Sequence, residues 1–389
     1  MSWTMVMVGD LCKLANGKAF KADDWSSDGY PIIRIQNLND STKPFNHWDG
    51  GLEKQVHVLP QDLLIAWSGT PGTSFGAHIW NGPEGVLNQH IFKVDLDESR
   101  ALKSWIKFTI NRQLYRLIDQ AHGGVGLKHV TKGEVENLQI PLPPLTEQKR
   151  IAAILDSADA LRAKRRAAIA KLDELVQSTS LDMFGDPVTN PKGWEYPRIC
   201  ETKTKIQIGP FGSLLHKEDY ITGGVPLVNP MHIVNGSIKT SSEQSVTIEM
   251  AESLSNYRLR TGDVILGRRG EMGRSAVVTE MENGLICGTG SLFLRPSTKE
   301  WSAVYLAKML RSKGIKERFE RMCLGVTMPN LNRTMVGDCR IPRPPLPLQH
   351  QFASIVTKIE EQKSRLRAHL EELDTLFASL QSRAFKGEL

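Results

Sequence analysis

The sequence contains no apolar run approaching the roughly 18 residues needed to cross a bilayer, which excludes a helical membrane protein. Its first ten residues lack the basic start and small-residue cleavage site of a signal peptide, so cytoplasmic placement is expected. Five cysteines, Cys12, Cys200, Cys287, Cys323 and Cys339, are odd in number, scattered and free of any C-x-x-C pair; they read as reduced core residues rather than a disulfide framework. The ten histidines form no H-E-x-x-H or comparable spacing, and no metal is expected. There is no G-x-x-x-x-G-K-[ST] phosphate loop, hence no ATP-driven motor. An adenine methyltransferase would need an Asn-Pro-Pro-aromatic type of motif. Asn190-Pro191-Lys192-Gly193 and Asn229-Pro230-Met231-His232 both lack the second proline and the aromatic, and no glycine-rich cofactor loop accompanies them. Asp186 with Glu201-Thr202-Lys203 has a spacing like that of a metal-dependent nuclease, but Asp186 sits in a linker. No catalytic residue and no cofactor-binding residue is therefore assigned to this chain.

What remains is an ordinary folding composition, 40% hydrophobic and 24% charged, over 389 residues. That length exceeds what one hydrophobic core usually serves, so two or more domains are expected. A formal charge of +6 suits a polyanionic partner but is too small to identify one.

The chain is written twice. Ile140-Pro141-Leu142-Pro143-Pro144-Leu145-Thr146-Glu147-Gln148 matches Ile341-Pro342-Arg343-Pro344-Pro345-Leu346-Pro347-Leu348-Gln349, 201 residues later. The same offset places Gly124-Val125 on Gly325-Val326, Asp62 on Asp263, Gly69 and Gly72 on Gly270 and Gly273, Phe92 on Phe293, and Leu172-Asp173 on Leu373-Asp374. Trp3 and Trp194 mark the two beginnings at a shorter offset. Such a period is too long for a solenoid and implies a duplicated domain with an appended element. Each copy opens β-rich, with strands expected at Ile32–Gln36, Leu63–Trp67, Ala77–Trp80 and His90–Val94, answered by Pro226–Asn229, Val264–Leu266, Ala276–Thr279 and Ser291–Leu294. Helices are expected over Leu102–Ala121 and Ala303–Met322.

After each proline box comes a heptad helix of about 32 residues, or about 48 Å. Its a and d stripe is expected at Ile151, Ile154, Ala158, Leu161, Leu172 and Leu175 in the first copy, and at Phe352, Ile355, Ile359, Leu366, Leu373 and Leu376 in the second. Arg165, Gln362 and His369 interrupt these stripes. The economical arrangement is an antiparallel coiled coil of the two; the alternative is that each helix merely covers its own domain. The resulting class is α+β, two tandem mixed domains separated by two long helices, with an internal pseudo-twofold repeat. The expected division is 1–145, a first domain; 146–183, a spacer helix; 184–193, a linker; 194–346, a second domain; and 347–389, a second spacer helix.

A binding domain used twice on a long spacer fits a rod-like ligand with separated sites, and duplex DNA is such a ligand. Gly267-Arg268-Arg269-Gly270-Glu271-Met272-Gly273-Arg274 offers Arg268, Arg269 and Arg274 for guanine edges or phosphates; an ordinary hairpin is the alternative. The corresponding stretch of the first copy is uncharged and offers Ser68, Thr70 and Thr73. Further candidates are Lys128 and His129, Asn330 in the matching turn, and Gln207 and Ser213 in the loop that opens the second copy.

The proline boxes, the heptad helices behind them, the Phe184-Gly185-Asp186 join and the ending Arg383–Leu389 closely resemble type I restriction-modification specificity subunits. The resemblance spans essentially the whole chain; Leu348, where the first box has Glu147, departs from the usual pattern. It implies a DNA-recognition chain without chemistry of its own, each domain reading half of a bipartite double-stranded target. It also implies two modification subunits as partners, holding S-adenosylmethionine and methylating adenine, and a restriction subunit, using ATP and Mg, that joins in some systems.

Overall fold

The computed structural model describes residues 3–40, 42–69, 75–120, 128–323 and 330–389. The chain forms two compact units, Met1–Ala167 with Ala368–Leu389, and Ala168–Arg367. No helix among the described residues is long and apolar enough to cross a membrane.

The first unit is built on a four-stranded antiparallel sheet in the order Cys12–Asn16, Ile91–Leu96, Leu63–Ala66, Gly76–Ile79. Alternation along the strands sorts the side chains. Leu63, Ile65, Phe92 and Val94 join Trp105 and Phe108 of the helix Lys103–Gln120 in one core, while Leu64 and Ile91 join Ile33, Trp80 and Leu87 in another. The second core is closed by a sheet in which Tyr30–Ile33 runs parallel to Gly85–Leu87. The strand expected to reach Gln36 stops at Ile33, because Asn37 Oδ1 accepts the Arg34 N–H and starts the short helix Ile35–Asn39.

The second unit repeats the plan with Lys205–Ile208, Ser291–Arg295, Val264–Gly267 and Ser275–Val277, and with Val225–Val228 parallel to Ile286–Cys287. Two expectations need correction. The single helix expected over Ala303–Met322 is two, Ala303–Leu310 and Lys313–Met322, with Ser312 Oγ donating back to Met309 O at the break. Phe92 is matched by Leu292, not Phe293: Phe92 pairs with Ile65 as Leu292 pairs with Leu266, and Phe293 lies in the opposite core. A one-residue slip inverts the faces of a strand.

Two long helices run Leu145–Phe184 and Leu346–Lys386. In the first unit, residues 145–167 pack against residues 368–386, Arg162 Nε donating to Asp374 Oδ1 at 2.6 Å. In the second, Asp173 Oδ1 accepts from Lys363 Nζ at 2.6 Å and Phe184 meets Phe352 with ring centroids 5.2 Å apart. A later residue of one helix thus meets an earlier residue of the other, as an antiparallel pair requires. The two bridges are one bridge written twice, since Arg162 and Lys363, like Asp173 and Asp374, are 201 residues apart.

The packed stripe differs from the expected a and d series. Ile151, Leu155, Ala158 and Val176 are buried on the first helix, and Phe352, Val356, Ile359, Lys363, Leu366 and Phe377 on the second. Leu161, Leu175 and Leu376 are about half exposed at 51%, 48% and 49%, and Ile154, Ile355, Leu172 and Leu373 are only partly buried. The spacing is four then three, not three then four. Both repeat every seven residues, so the period alone could not choose between them. Gln362 and His369 consequently point outward, Arg162 and Lys363 enter the stripe as ion-paired members, and Arg165 stays in it with its Nε buried.

Each long helix is fixed to its domain by the same parts. Gln148 and Gln349 are fully buried. Gln148 accepts the Leu102 N–H and donates to Arg100 O and Pro143 O; Gln349 accepts from Ser302 and donates to Glu300 O and Pro344 O. Trp105 Nε1 donates to Pro141 O, and Tyr305 Oη to Pro342 O. Trp3 donates to Ala384 O and Trp194 to Phe184 O, closing the C-terminal ends of the helices.

Candidate DNA-recognition faces

In the second unit three loops converge beside the strand Val264–Gly267. Gly209 packs so closely on Gly288 that an added Cβ would lie 2.0 Å from its carbonyl oxygen. Asn229 accepts the Gly290 N–H through Oδ1 and donates through Nδ2 to Gln244 Oε1 at 3.2 Å. The hairpin loop follows Gly267 and turns on Gly270 and Gly273, both in the left-handed region with φ of 76°. Its three arginines have three different surroundings. Arg268 is buried: Nε donates to Leu331 O at 2.7 Å, Nη1 to Thr289 O at 3.4 Å, and its main chain bonds Gly290 and Leu331. Burial, with Arg269 beside it, lowers its pKa. Arg274 donates to Pro230 O at 3.1 Å and to Glu271 at 3.0 Å. Arg269 is exposed at the loop tip and meets no carboxylate among the described residues.

The remaining candidates of this unit gather around the same loops. Gln207 closes on its neighbour, Nε2 to Ile208 O at 3.1 Å. Ser213 is exposed in the turn Gly212–Leu214, next to Phe211, which is 62% exposed. Asn330 precedes the Leu331 that Arg268 holds, and its Oδ1 is buried without a hydrogen-bond partner.

In the first unit the equivalent close approach is Gly17 on Asn88, where an added Cβ would lie 2.2 Å from the Asn88 carbonyl oxygen. Trp67 stands where the second copy has Arg268: its N–H donates to His90 O and its carbonyl accepts from Val130, as Arg268 bonds Gly290 and Leu331. It stacks on Phe92 with ring centroids 5.4 Å apart and meets His90 edge-on at 5.6 Å. Ser68–Gly69 pairs with Lys128–His129, which brings together three of the sequence candidates. Thr70 and Thr73 lie outside the described residues.

A family model described as the type I restriction modification DNA specificity domain matches residues 1–171 and again residues 206–373. The chain belongs to that family. Its similar proteins include the EcoBI specificity subunit of Escherichia coli, 23% identical over all of this chain and 86% of that one. The MjaVIII specificity subunit of Methanocaldococcus jannaschii is 22% identical over all of this chain and 93% of its own length. The crystal structure of an S subunit from M. genitalium shares the fold with a TM-score of 0.59 at 17% identity, covering 99% of this chain and 96% of that one. The chain is a specificity subunit, the DNA-recognition component of a type I restriction-modification system rather than its catalyst.

Within this specificity subunit, sequence reasoning missed Asn229, Gln244 and the Gly288–Gly290 turn, which frame the face of the second domain, and Trp67 with His90 in the first. The signal for Trp67 was present, since the offset of 201 puts it on Arg268. Asn229 carried none, because a short polar loop gains meaning only when parallel pairing of Val225–Val228 with Ile286–Cys287 brings it beside Gly288.

Proposed function

We propose that each unit reads one half of a bipartite duplex target and that the paired helices set the spacer between the halves and dock modification subunits. The observation that carries this reading is the repeat of the anchors, Gln148 and Gln349, Trp3 and Trp194, Arg162–Asp374 and Lys363–Asp173, under faces as different as Trp67 and Arg268. Identical supports with dissimilar faces suit two unlike half-sites at a fixed separation. The half-exposed Leu161, Leu175 and Leu376 supply apolar surface for helical partners, two modification subunits holding S-adenosylmethionine, to which restriction subunits using ATP and Mg can be added. Exposure of Arg269 supports it as the contact to bases or phosphate, and burial of Arg268 on Leu331 supports a role in shaping the loop.

The test is co-expression with the modification subunits and mapping of methylated sites. Two half-sites with a constant spacer are expected, and a single contiguous motif overturns the reading. Inserting one heptad into each helix lengthens the run by about 10 Å, close to three base pairs. Unchanged half-sites, a preferred spacer longer by about three, and reduced affinity from the accompanying groove rotation of roughly 100° are expected. An unaltered spacer shows that the helices are not the ruler.

A further inference from the structure

We infer that a cleft in the second unit, between the linker after Phe184 and the helix Lys313–Met322, docks an acidic segment of one modification subunit. The inference rests on the reading that such subunits bind this chain. The cleft has a volume of about 510 Å³ and is lined by Val188, Tyr196, Arg318, Arg321 and Met322, with no carboxylate among them. Arg318, partly buried, lies beside the phenol of Tyr196, whose hydroxyl is turned to the carbonyls of Pro187 and Val188 at 3.0 and 3.1 Å. Arg321 is exposed, its Nε directed to the main-chain oxygen of Glu317. The Glu317 carboxylate faces Lys313 instead, at 3.9 Å. Two forked cations therefore border the cleft with no ion pair to either among the described residues, Asp186 near Tyr196 being engaged by the Val188 and Thr189 N–H groups, and an incoming carboxylate gains from both.

Two observations favour protein over DNA as the occupant. Arginine, tyrosine and methionine are the side chains that protein interfaces concentrate at their centres. In addition, the flank of this helix that faces the 267–274 loop carries Lys316, bonded to Glu271 Oε1 at 3.1 Å. Arg318 is about 200° farther around the helix, on the flank that faces the linker. A duplex read by the loop meets the other side.

The first copy does not carry the same residues at the corresponding positions of the sequence. The offset of 201 gives Leu117 and Gln120 for the two arginines, and Met5 stands for Tyr196 at the offset of the paired tryptophans. Two copies of one partner therefore meet unequal docks, and the stronger and more salt-sensitive attachment is that of the second unit.

The experiment uses the full chain co-purified with its modification subunits. Native mass spectrometry across a series of rising ammonium acetate concentration counts bound subunits, and methylation of a bipartite duplex confirms that the wild-type assembly is the functional one. Arg318→Gln with Arg321→Gln is expected to weaken one of the two attachments about tenfold and flatten its salt dependence, leaving the other attachment and the methylated sequence unchanged. Arg318→Lys with Arg321→Lys keeps the charge and should recover much of the loss. Arg321→Gln alone, at an exposed position, should give a smaller loss in the same direction and guards against misfolding of the double variant. Assembly equal to wild type in all variants overturns the inference. So does normal assembly with weakened duplex binding, which assigns the cleft to DNA. In either case wild-type methylation at two half-sites leaves the broader function standing.

Discussion

The two units share their supports and differ in their faces. Each long helix begins with a buried glutamine that collects three hydrogen bonds and ends under a tryptophan. At the root of the hairpin loop, however, one unit has Trp67 stacked on Phe92 and the other has Arg268 bonded to main-chain carbonyls. The Arg268 guanidinium ties Leu331, in the chain that leads to the proline box, to the hairpin, whereas the Trp67 ring packs on Phe92 and His90 while its main-chain carbonyl accepts from Val130. A duplicated domain can thus replace the chemistry of its face while the main-chain bonds beneath it, Trp67 to His90 and Arg268 to Gly290, stay in place.

The sharpest way to break this equivalence is at the glutamines. Gln349→Ala removes three hydrogen bonds from a fully buried amide and leaves the Ser302 N–H and two carbonyls without partners, which costs about 3 kcal/mol. Gln148→Ala should cost nearly the same in the first unit, and denaturant titration of the two variants checks the match. A loss confined to one variant would show that only one helix is anchored this way. On the recognition faces the opposite is expected. Arg269→Ala should weaken duplex binding by roughly 1–3 kcal/mol and relax only the second half-site if it reads a base, or weaken all sequences alike if it holds a phosphate. Arg268→Ala should instead lower the thermal stability of the second unit, and loss of binding without loss of stability would return Arg268 to the interface.

The inter-helix bridges give a smaller contrast. The Lys363 side chain is 2% exposed between Asp173 and Glu360, whereas that of Arg162 is 18% exposed between Asp159 and Asp374. Lys363→Met removes a buried cation and leaves partly exposed carboxylates that can rehydrate, so a loss of about 1–2 kcal/mol is expected. Arg162→Met, at the wetter bridge, should cost under about 1 kcal/mol, and a double-mutant cycle with Asp374→Asn or Asp173→Asn measures each coupling.

The repeat itself was legible because the proline boxes and heptads recur at one offset, and the central strands followed because Leu63–Ala66 and Val264–Gly267 are short continuous apolar runs between turn formers. The seam was only half legible. Leu161 and Leu175 look like core residues, but packing places Leu155, Arg162 and Val176 there, and Lys363 enters the stripe because Asp173 lies opposite, which no single-helix pattern contains. The arginine loop was legible as a loop; that Arg268 is spent on Leu331 depends on a contact 63 residues away in the chain.

A last difference between the units is titratable. His78 pairs with Leu64 in the sheet of the first unit, and Ala276, paired with Ile265, holds that place in the second. Burial, reinforced by the nearby Lys107 ammonium, pushes the pKa of His78 down from 6.5 to about 4. Above pH 6.5 the ring is neutral folded or unfolded and contributes nothing to the pH dependence. Between pH 6.5 and about 4 the unfolded chain takes up a proton that the native ring refuses, so stability falls as pH falls through that window and levels off below it. His232, also lowered by burial, adds a contribution of the same sign in the second unit. His78→Gln should therefore flatten the acid side of the stability curve without changing melting at pH 8, and His232→Gln should flatten the remainder. Thermal melting from pH 8 to pH 4 reads both. An acid slope unchanged by His78→Gln would mean that the native ring is protonated as readily as the unfolded one.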